Sequence, residues 1–458
     1  MGVVIEREEW ELNPLVYVFL FACCFLSVFL FPHVSRSGVT VGASTTASSL
    51  FDLGPSTTFL RFQRRFLLVY SIASAMEGLQ SAYGEFEFGY NGMTKEQIVS
   101  AALAGTVVAF FLGTSAGILS DIIGPRKICI CYCFLHLLVG VAKSVTRQPG
   151  LLLSRMGTGL ASSVFAFCFE SWMVNEHEKH GHRVDLLSDT FWLMTLFESS
   201  CFIGSQGLGN LLVKNPQKGF LSRASPAVIF AMICILYMWK EWNADCQKFT
   251  VSSYRQSFTG KIFSDKRVWM LGWAQASVQF SVSVFWILWA PTMVADGREV
   301  QLSHIYPCFL GSRMLGSTAF PWLTSAASPL HNEDHNLLTA ALAVAGLVLS
   351  IVAYDYQDIA VLMALFCIFH SCIGLILPCL ASLRTKYVPN ELRGGMISAS
   401  LVPAHIAFLL ILLLGAYYRS LSNASILASA AAGLLSAAGC VRVLRLWGKY
   451  HRQNQREL

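Results

Sequence analysis

The stretch that decides the architecture is Gly117-Ile118-Leu119-Ser120-Asp121-Ile122-Ile123-Gly124-Pro125-Arg126-Lys127. It separates two apolar runs, 98–119 and 128–146, and gathers one carboxylate, two glycines and a basic pair. Glycine permits a sharp bend that residues with a Cβ resist. A carboxylate at such a bend can accept from the free N–H groups of a facing helix start, or pair with an arginine. The segment near Gly395 and the side chain of Arg393 offer those two partners. Upstream, Ala101, Gly105, Ala109, Gly113 and Gly117 recur every four positions. That spacing puts them on one helix face and lets a neighbouring helix approach closely. The stretch reads as a tight turn between two closely packed membrane helices.

Working outward, the whole chain shares this character. Of 458 residues, 54% are hydrophobic and 13% charged, against about 25% charged in a soluble domain. So little charge cannot cover a soluble globule, and the apolar and aromatic content excludes disorder. A membrane-spanning helix needs about 20 largely apolar residues. Thirteen segments qualify: 14–31, 62–83, 98–119, 128–146, 150–173, 191–213, 224–240, 268–293, 302–323, 336–354, 359–381, 396–418 and 424–446. Barrel strands would alternate in character and these runs do not, so an all-α polytopic membrane protein is predicted. The segments 62–83 and 302–323 are the most polar of the set. Thirteen of the 14 cysteines sit inside apolar runs, with Cys246 alone in a polar loop, so they read as buried small hydrophobes and not as a disulfide framework.

The first segment follows Glu6, Glu8, Glu9 and Glu11 around a single Arg7. A cleaved signal wants positive charge there, so a retained anchor is predicted. Residues 1–58 thus comprise an anchor and a Ser/Thr/Gly-rich linker (35–58). The other twelve segments form two sets of six, 59–240 and 268–446, joined by a polar loop at 241–267 and followed by a basic tail at 447–458. Two equal helical halves are the plan of a transporter built from repeats. Loops on the side of the central linker hold 22 of the 33 Lys and Arg, against 9 on the other side. The richer side is predicted to be cytoplasmic, which puts the C-terminus inside and the N-terminus outside.

Ionisable residues within spans are costly and are candidates for function. Glu77 and Gln80 lie in the first core helix, Arg155 and Glu170 in the fourth, Glu198 in the fifth and Arg313 in the eighth. Each has a bland reading as half of a structural ion pair, the more so for Glu198. His177, His180 and His182, with Glu176 and Glu178, miss the HExxH spacing and read as a solvated loop, so no metal site is predicted. Gly157-x-Gly159 lacks a third glycine and follows no strand, and no Walker A loop exists, so no nucleotide cofactor is predicted either. The basic residues form no tract suited to nucleic acid, and no His, Cys and carboxylate set suggests an enzyme.

In spacing and position, the loop from Gly117 to Lys127 resembles the signature loop of the major facilitator superfamily. Further residues resemble one branch, the molybdate-anion transporter family: Phe59-Leu60-Arg61-Phe62-Gln63, Glu77-x-x-Gln80-x-x-Tyr83, Leu153-x-Arg155 with Gly159, and Phe169-Glu170-Ser171-Trp172 followed by Glu176-His177. The second half adds Gln275, Leu288-Trp289-x-Pro291, Met314-Leu315-Gly316-Ser317, Gly374-x-x-x-Pro378 and Arg384-x-x-Tyr387-x-Pro389. The resemblance covers about 60 to 445. It implies the major facilitator fold with one additional N-terminal helix, alternating access, and a midplane site on the first, fourth, seventh and tenth core helices. Molybdate is the implied substrate; the residues alone say an anion, with or without protons. Arg155, Gln80, Gln275, Gln279, His370 and Arg313 are the candidate substrate ligands, and Glu77 the proton-coupling residue. Asp121, Arg126, Glu170 and Arg393 are the candidate gates. Departures are Gln279 and His370 where the family suggests Glu, Leu401 where it suggests Arg, and Arg313 where it suggests a small polar residue. They keep open a non-transporting receptor or scaffold, or transport of another small solute. A monomer in the plasma membrane, or alternatively an endomembrane, with the bilayer and a small inorganic anion as its partners, completes the reading.

Overall fold

The computed structural model describes residues 10–40, 57–90, 94–145, 149–183, 185–213, 221–241, 250–295, 300–324, 334–354, 358–417 and 421–457. The acidic flank at Glu6, Glu8 and Glu9, linker residues 41–56, loop residues 214–220 and 325–333, and Cys246 lie outside them. Each apolar segment predicted from the sequence is helical. In chain order these are α1 (Leu15–Thr40), α2 (Thr57–Tyr90), α3 (Lys95–Val108), α4 (Thr114–Ile123), α5 (Pro125–Val145), α6 (Pro149–Lys179), α7 (Asp185–Val213) and α8 (Leu221–Glu241). The second half has α10 (Lys266–Met293), α11 (Leu302–Thr324), α12 (Asp334–Ala353), α13 (Ile359–Tyr387), α14 (Arg393–Ser400), α15 (Val402–Ile411) and α16 (Asn423–Glu457). Between the halves lies a short helix, α9 (Val251–Phe258). Helices α3 and α4 form one span through a single π turn at Ala109–Gly113. Helices α14 and α15 likewise make one span. Among the described residues, eight helices are long and apolar enough to cross a membrane.

Helix α16 runs on through the basic tail to Glu457. The polar stretches at 62–83 and 302–323 are full helices, since their polar residues face other helices: Ser74, Gln80, Ser312 and Ser317 are all buried.

α1 docks along α11. Cys24 Sγ donates to Gly311 O at 3.6 Å, Ser27 Oγ to Thr318 O at 3.3 Å, and Trp322 Nε1 to Ser27 O at 3.1 Å. The extra helix is thus packed on the second half. Within the first half, the small-residue stripe does what its spacing predicted. A Cβ on Gly105 would lie 2.9 Å from Arg155 O, so only glycine lets α3 and α6 cross this closely. Pro291, Pro307, Pro321 and Pro378 sit inside helices, as membrane helices tolerate when neighbours satisfy the freed carbonyls.

Candidate functional site

Gly124, with φ of 103°, turns α4 sharply into α5, a conformation that favours glycine. The turn aims Asp121 across the interface. Its Oδ1 accepts from Gly394 N at 2.9 Å and its Oδ2 from Gly395 N at 2.7 Å. These N–H groups open α14, so a carboxylate caps the positive end of a facing helix. Of the two partners considered for Asp121, the helix start is the one it engages. A third bond comes from α9, where the Tyr254 hydroxyl donates to Asp121 Oδ2 at 3.0 Å. Burial, and then the Asp121 carboxylate, push the Tyr254 phenol above its ordinary range, so it stays a donor. Gly117 packs on Ser398 and on Gly394, whose carbonyl would lie 2.7 Å from an added Cβ.

Arg126 is corrected. Its Nη2 donates to Met238 O at 2.8 Å, near the end of α8, so it joins two helices of one half and crosses no gate. A second contact between the halves lies deeper. Glu170 on α6 accepts from Arg384 Nε at 2.8 Å and Arg384 Nη2 at 2.5 Å, and from Arg393 Nη1 at 2.9 Å. Arg384 Nη1 also donates to Gln275 Oε1 at 2.7 Å. Two buried guanidinium groups of the second half thus converge on one carboxylate of the first, itself only 11% exposed. Arg384 was missed as a site residue. Its position at the end of an apolar run gives it the ordinary look of a cation reaching for the interface.

Above this floor a cavity of about 630 Å³ lies between the halves. Tyr70, Glu77, Gln80, Arg155, Gln275, Gln279, Arg313 and Leu401 line it, with Glu170, Glu198 and Arg384. Glu77, Gln80, Arg155, Gln275, Gln279 and Arg313 are therefore brought together as the sequence predicted. His370 is not among the lining residues. Its side chain is 1% exposed and is packed against Phe285, Trp286, Phe309 and Phe369. Helix α13 presents that face to its own bundle, so His370 is withdrawn as a substrate ligand. Arg313 keeps its place in the wall but is already engaged: its Nη2 donates to Glu198 Oε1 at 2.8 Å. The Tyr70 hydroxyl donates to the other oxygen of Glu198 at 2.7 Å.

Glu77 faces the cavity and is held from three sides. The Ser162 hydroxyl donates to Oε1. The Tyr132 hydroxyl lies 3.4 Å from Oε2, as does His136 Nε2. His136 is fully buried on α5 and was also missed, although it is the only His, Asp, Glu, Lys or Arg between Ile128 and Ala142. His177 is no solvated loop residue. It belongs to α6, is 2% exposed and lies edge-on to Phe59; its Nε2 lies 2.8 Å from Arg183 O.

Comparison with known proteins agrees with this architecture. At 26% identity, the molybdate-anion transporter of Takifugu rubripes aligns over 411 residues, which is 82% of this chain and 85% of the relative. The molybdate-anion transporter of Xenopus laevis is 25% identical over 76% of this chain and 78% of its own length. Among solved structures, the human organic anion transporter MFSD10 superposes with a TM-score of 0.59 at 12% identity, covering 83% of this chain and 99% of that one. A bacterial homologue of the iron transporter ferroportin, in an outward-facing state, gives 0.65 at 14% identity over 84% and 99%. A family profile described as sugar transporters with 12 transmembrane segments, MFS_5, matches residues 31–375. With three quarters of its length matched, the chain belongs to the MFS_5 family and is a multi-pass membrane protein of the major facilitator fold.

Proposed function

We propose that the protein is a secondary active transporter of a small oxyanion, with molybdate as its first substrate, working by alternating access as a monomer in the plasma membrane. The observation that carries this reading is the set of three guanidinium groups, Arg155, Arg313 and Arg384, in the wall of one cavity between the halves. Guanidinium offers planar paired donors that suit an oxyanion, whereas a sugar site needs no such concentration of cations. The names of the curated relatives support the same substrate class. Arg155 is the main ligand. It lies on α6, one of the helices that must rock, and its carbonyl packs against Gly105 of α3. Glu77 couples protons: it alone of the cavity carboxylates is held by hydroxyl groups and an imidazole with no arginine bonded to it.

The cavity volume supports a second reading, a larger organic anion, since about 300–1,000 Å³ is the range of drug-sized sites. Uptake of labelled molybdate into proteoliposomes, with and without an inward proton gradient, tests both points. Concentrative uptake that follows the gradient is expected. Uptake of an organic anion with none of molybdate would favour the second reading, and binding without uptake would favour a receptor.

A further inference from the structure

Glu198 and Arg313 form a contact across the halves in which the transport reading gives Glu198 no task. The two come from opposite halves, α7 and α11, and both line the cavity. The side chain of Arg313 is only 9% exposed and that of Glu198 16%. Arg313 is half-satisfied. One terminal nitrogen holds Glu198 Oε1 at 2.8 Å, while its Nε is buried with no hydrogen-bond partner. A buried guanidinium N–H left unpaired is costly, and the Nε and Nη edge is the edge that takes two oxygens of one oxyanion. Glu198 uses a single oxygen on Arg313, because Tyr70 fixes the other at 2.7 Å. A carboxylate is itself an oxyanion, and it sits where a free one would go.

Resting on the proposed oxyanion transport, we propose that Glu198 is a tethered competitor for Arg313, displaced by substrate, and that it sets the protein's selectivity for oxyanions over halides. A tetrahedral oxyanion presenting two oxygens satisfies both Nε and a terminal nitrogen, which the tethered carboxylate does not. It therefore gains a bond that Glu198 cannot supply and exchanges with it. Chloride is a single atom that cannot present two separate oxygens to Nε and the terminal nitrogen, so it gains less from the exchange and leaves Glu198 in place. When displaced, Glu198 keeps the Tyr70 hydroxyl as its donor and faces the cavity. Because the resident pair spans the two halves, its exchange also removes a contact that holds them in one relative position.

The test uses the full chain in nanodiscs, with molybdate and sulfate as probes and chloride as the challenger. Glu198→Gln should bind molybdate about tenfold more tightly, the scale of removing one buried competing charge. Chloride should compete poorly against molybdate in the parent and effectively in Glu198→Gln, a change that a merely structural role for Glu198 would not produce. In an Arg313→Gln background the gain should vanish. Glu198→Asp, which keeps the charge but withdraws it by one methylene, should give a smaller gain and is read in place of Glu198→Gln if that variant fails to fold. Unchanged or weaker molybdate binding in both Glu198 variants overturns the proposal, as does a gain that persists without Arg313. A parent that takes up molybdate while these variants show no gain loses only the tethered competitor. A parent and variants that bind neither oxyanion lose the oxyanion reading and this proposal together.

Discussion

Replacing Asp121 by Asn should release the linker-side closure. The carboxylate accepts three hydrogen bonds, from Gly394 N at 2.9 Å, Gly395 N at 2.7 Å and the Tyr254 hydroxyl at 3.0 Å. All three donors lie outside the first six core helices. Hydrogen bonds to a charged group contribute about 1.5–3 kcal/mol each. An amide oxygen keeps one of them, and the amide nitrogen then faces N–H donors. About two charge-assisted bonds are lost, together with the favourable placement of an anion at the start of α14, so about 3 kcal/mol is a conservative figure. That is about 150-fold in the closed-to-open ratio, and a parent that is about 99% closed becomes about 40% closed. Spin labels at Lys127 and Glu391, exposed positions on opposite halves, read the change as a longer distance population. The labels need genetically encoded anchors because the chain carries 14 cysteines. Tyr254→Phe removes only the hydroxyl bond and should open the gate by about 12-fold, equivalent to about 1.5 kcal/mol. An unchanged distance distribution in Asp121→Asn would refute the latch, because among the described residues Asp121 is the group that accepts from both glycine N–H groups.

Arg155→Lys keeps the charge and loses the paired donors; molybdate uptake should fall at least about tenfold, and parental affinity would remove Arg155 from the site. Glu77→Gln should flatten the pH dependence of uptake while exchange of internal for external anion survives, and His136→Gln should alter the same profile because its ring adjoins the carboxylate. Glu170→Gln strands Arg384 and Arg393 as buried charges, which costs about 3–5 kcal/mol and should appear as a lower midpoint of thermal unfolding. Gly374→Ala drives a Cβ into the Arg313 carbonyl, on backbone that cannot yield as a side chain can; membrane-extracted yield should collapse, while Gly439→Ala, which meets nothing within 4 Å, should be neutral.

Different signals governed what was legible in the sequence. Helices were, because most core-spanning runs are long and apolar and the more polar ones keep the same length. The Asp121 latch was, because its chemistry is local: the bend, the acid and the basic pair share one short stretch. Glu77 and Arg155 stood out because a charge inside an apolar run is expensive. The partners were not legible. Arg384 occupies Ser382-Leu383-Arg384-Thr385-Lys386, where an interfacial cation is the ordinary reading, and only its bonds to Glu170 across the halves show it buried there. His370 failed for the converse reason. It sits in a helix that is apolar nearly all round, and such a helix carries no amphipathic stripe to fix which face meets the cavity. Arg126 looked like part of the gate because it is adjacent in sequence to the turn, yet the turn itself rotates it back toward α8.

The contacts between the halves share a polarity that bears on how the molecule would move an anion. At three depths the first half supplies the carboxylate and the second half the donors: Asp121 to Gly394 and Gly395, Glu170 to Arg384 and Arg393, Glu198 to Arg313. Separating the halves therefore does not divide the charge evenly. It leaves a cationic face on the second half and an anionic face on the first. A buried pair stripped of one partner is costly, so the linker-side gate opens readily only when something else meets the exposed cations. Water meets them as the gap widens, but an oxyanion within the cavity meets them sooner and with paired donors. A proton on Glu170 or Glu198 would weaken the same contacts from the other side. On this geometry an oxyanion and a proton would act on opposite members of the same ion pairs, and the two together would lower the cost of opening further than either alone.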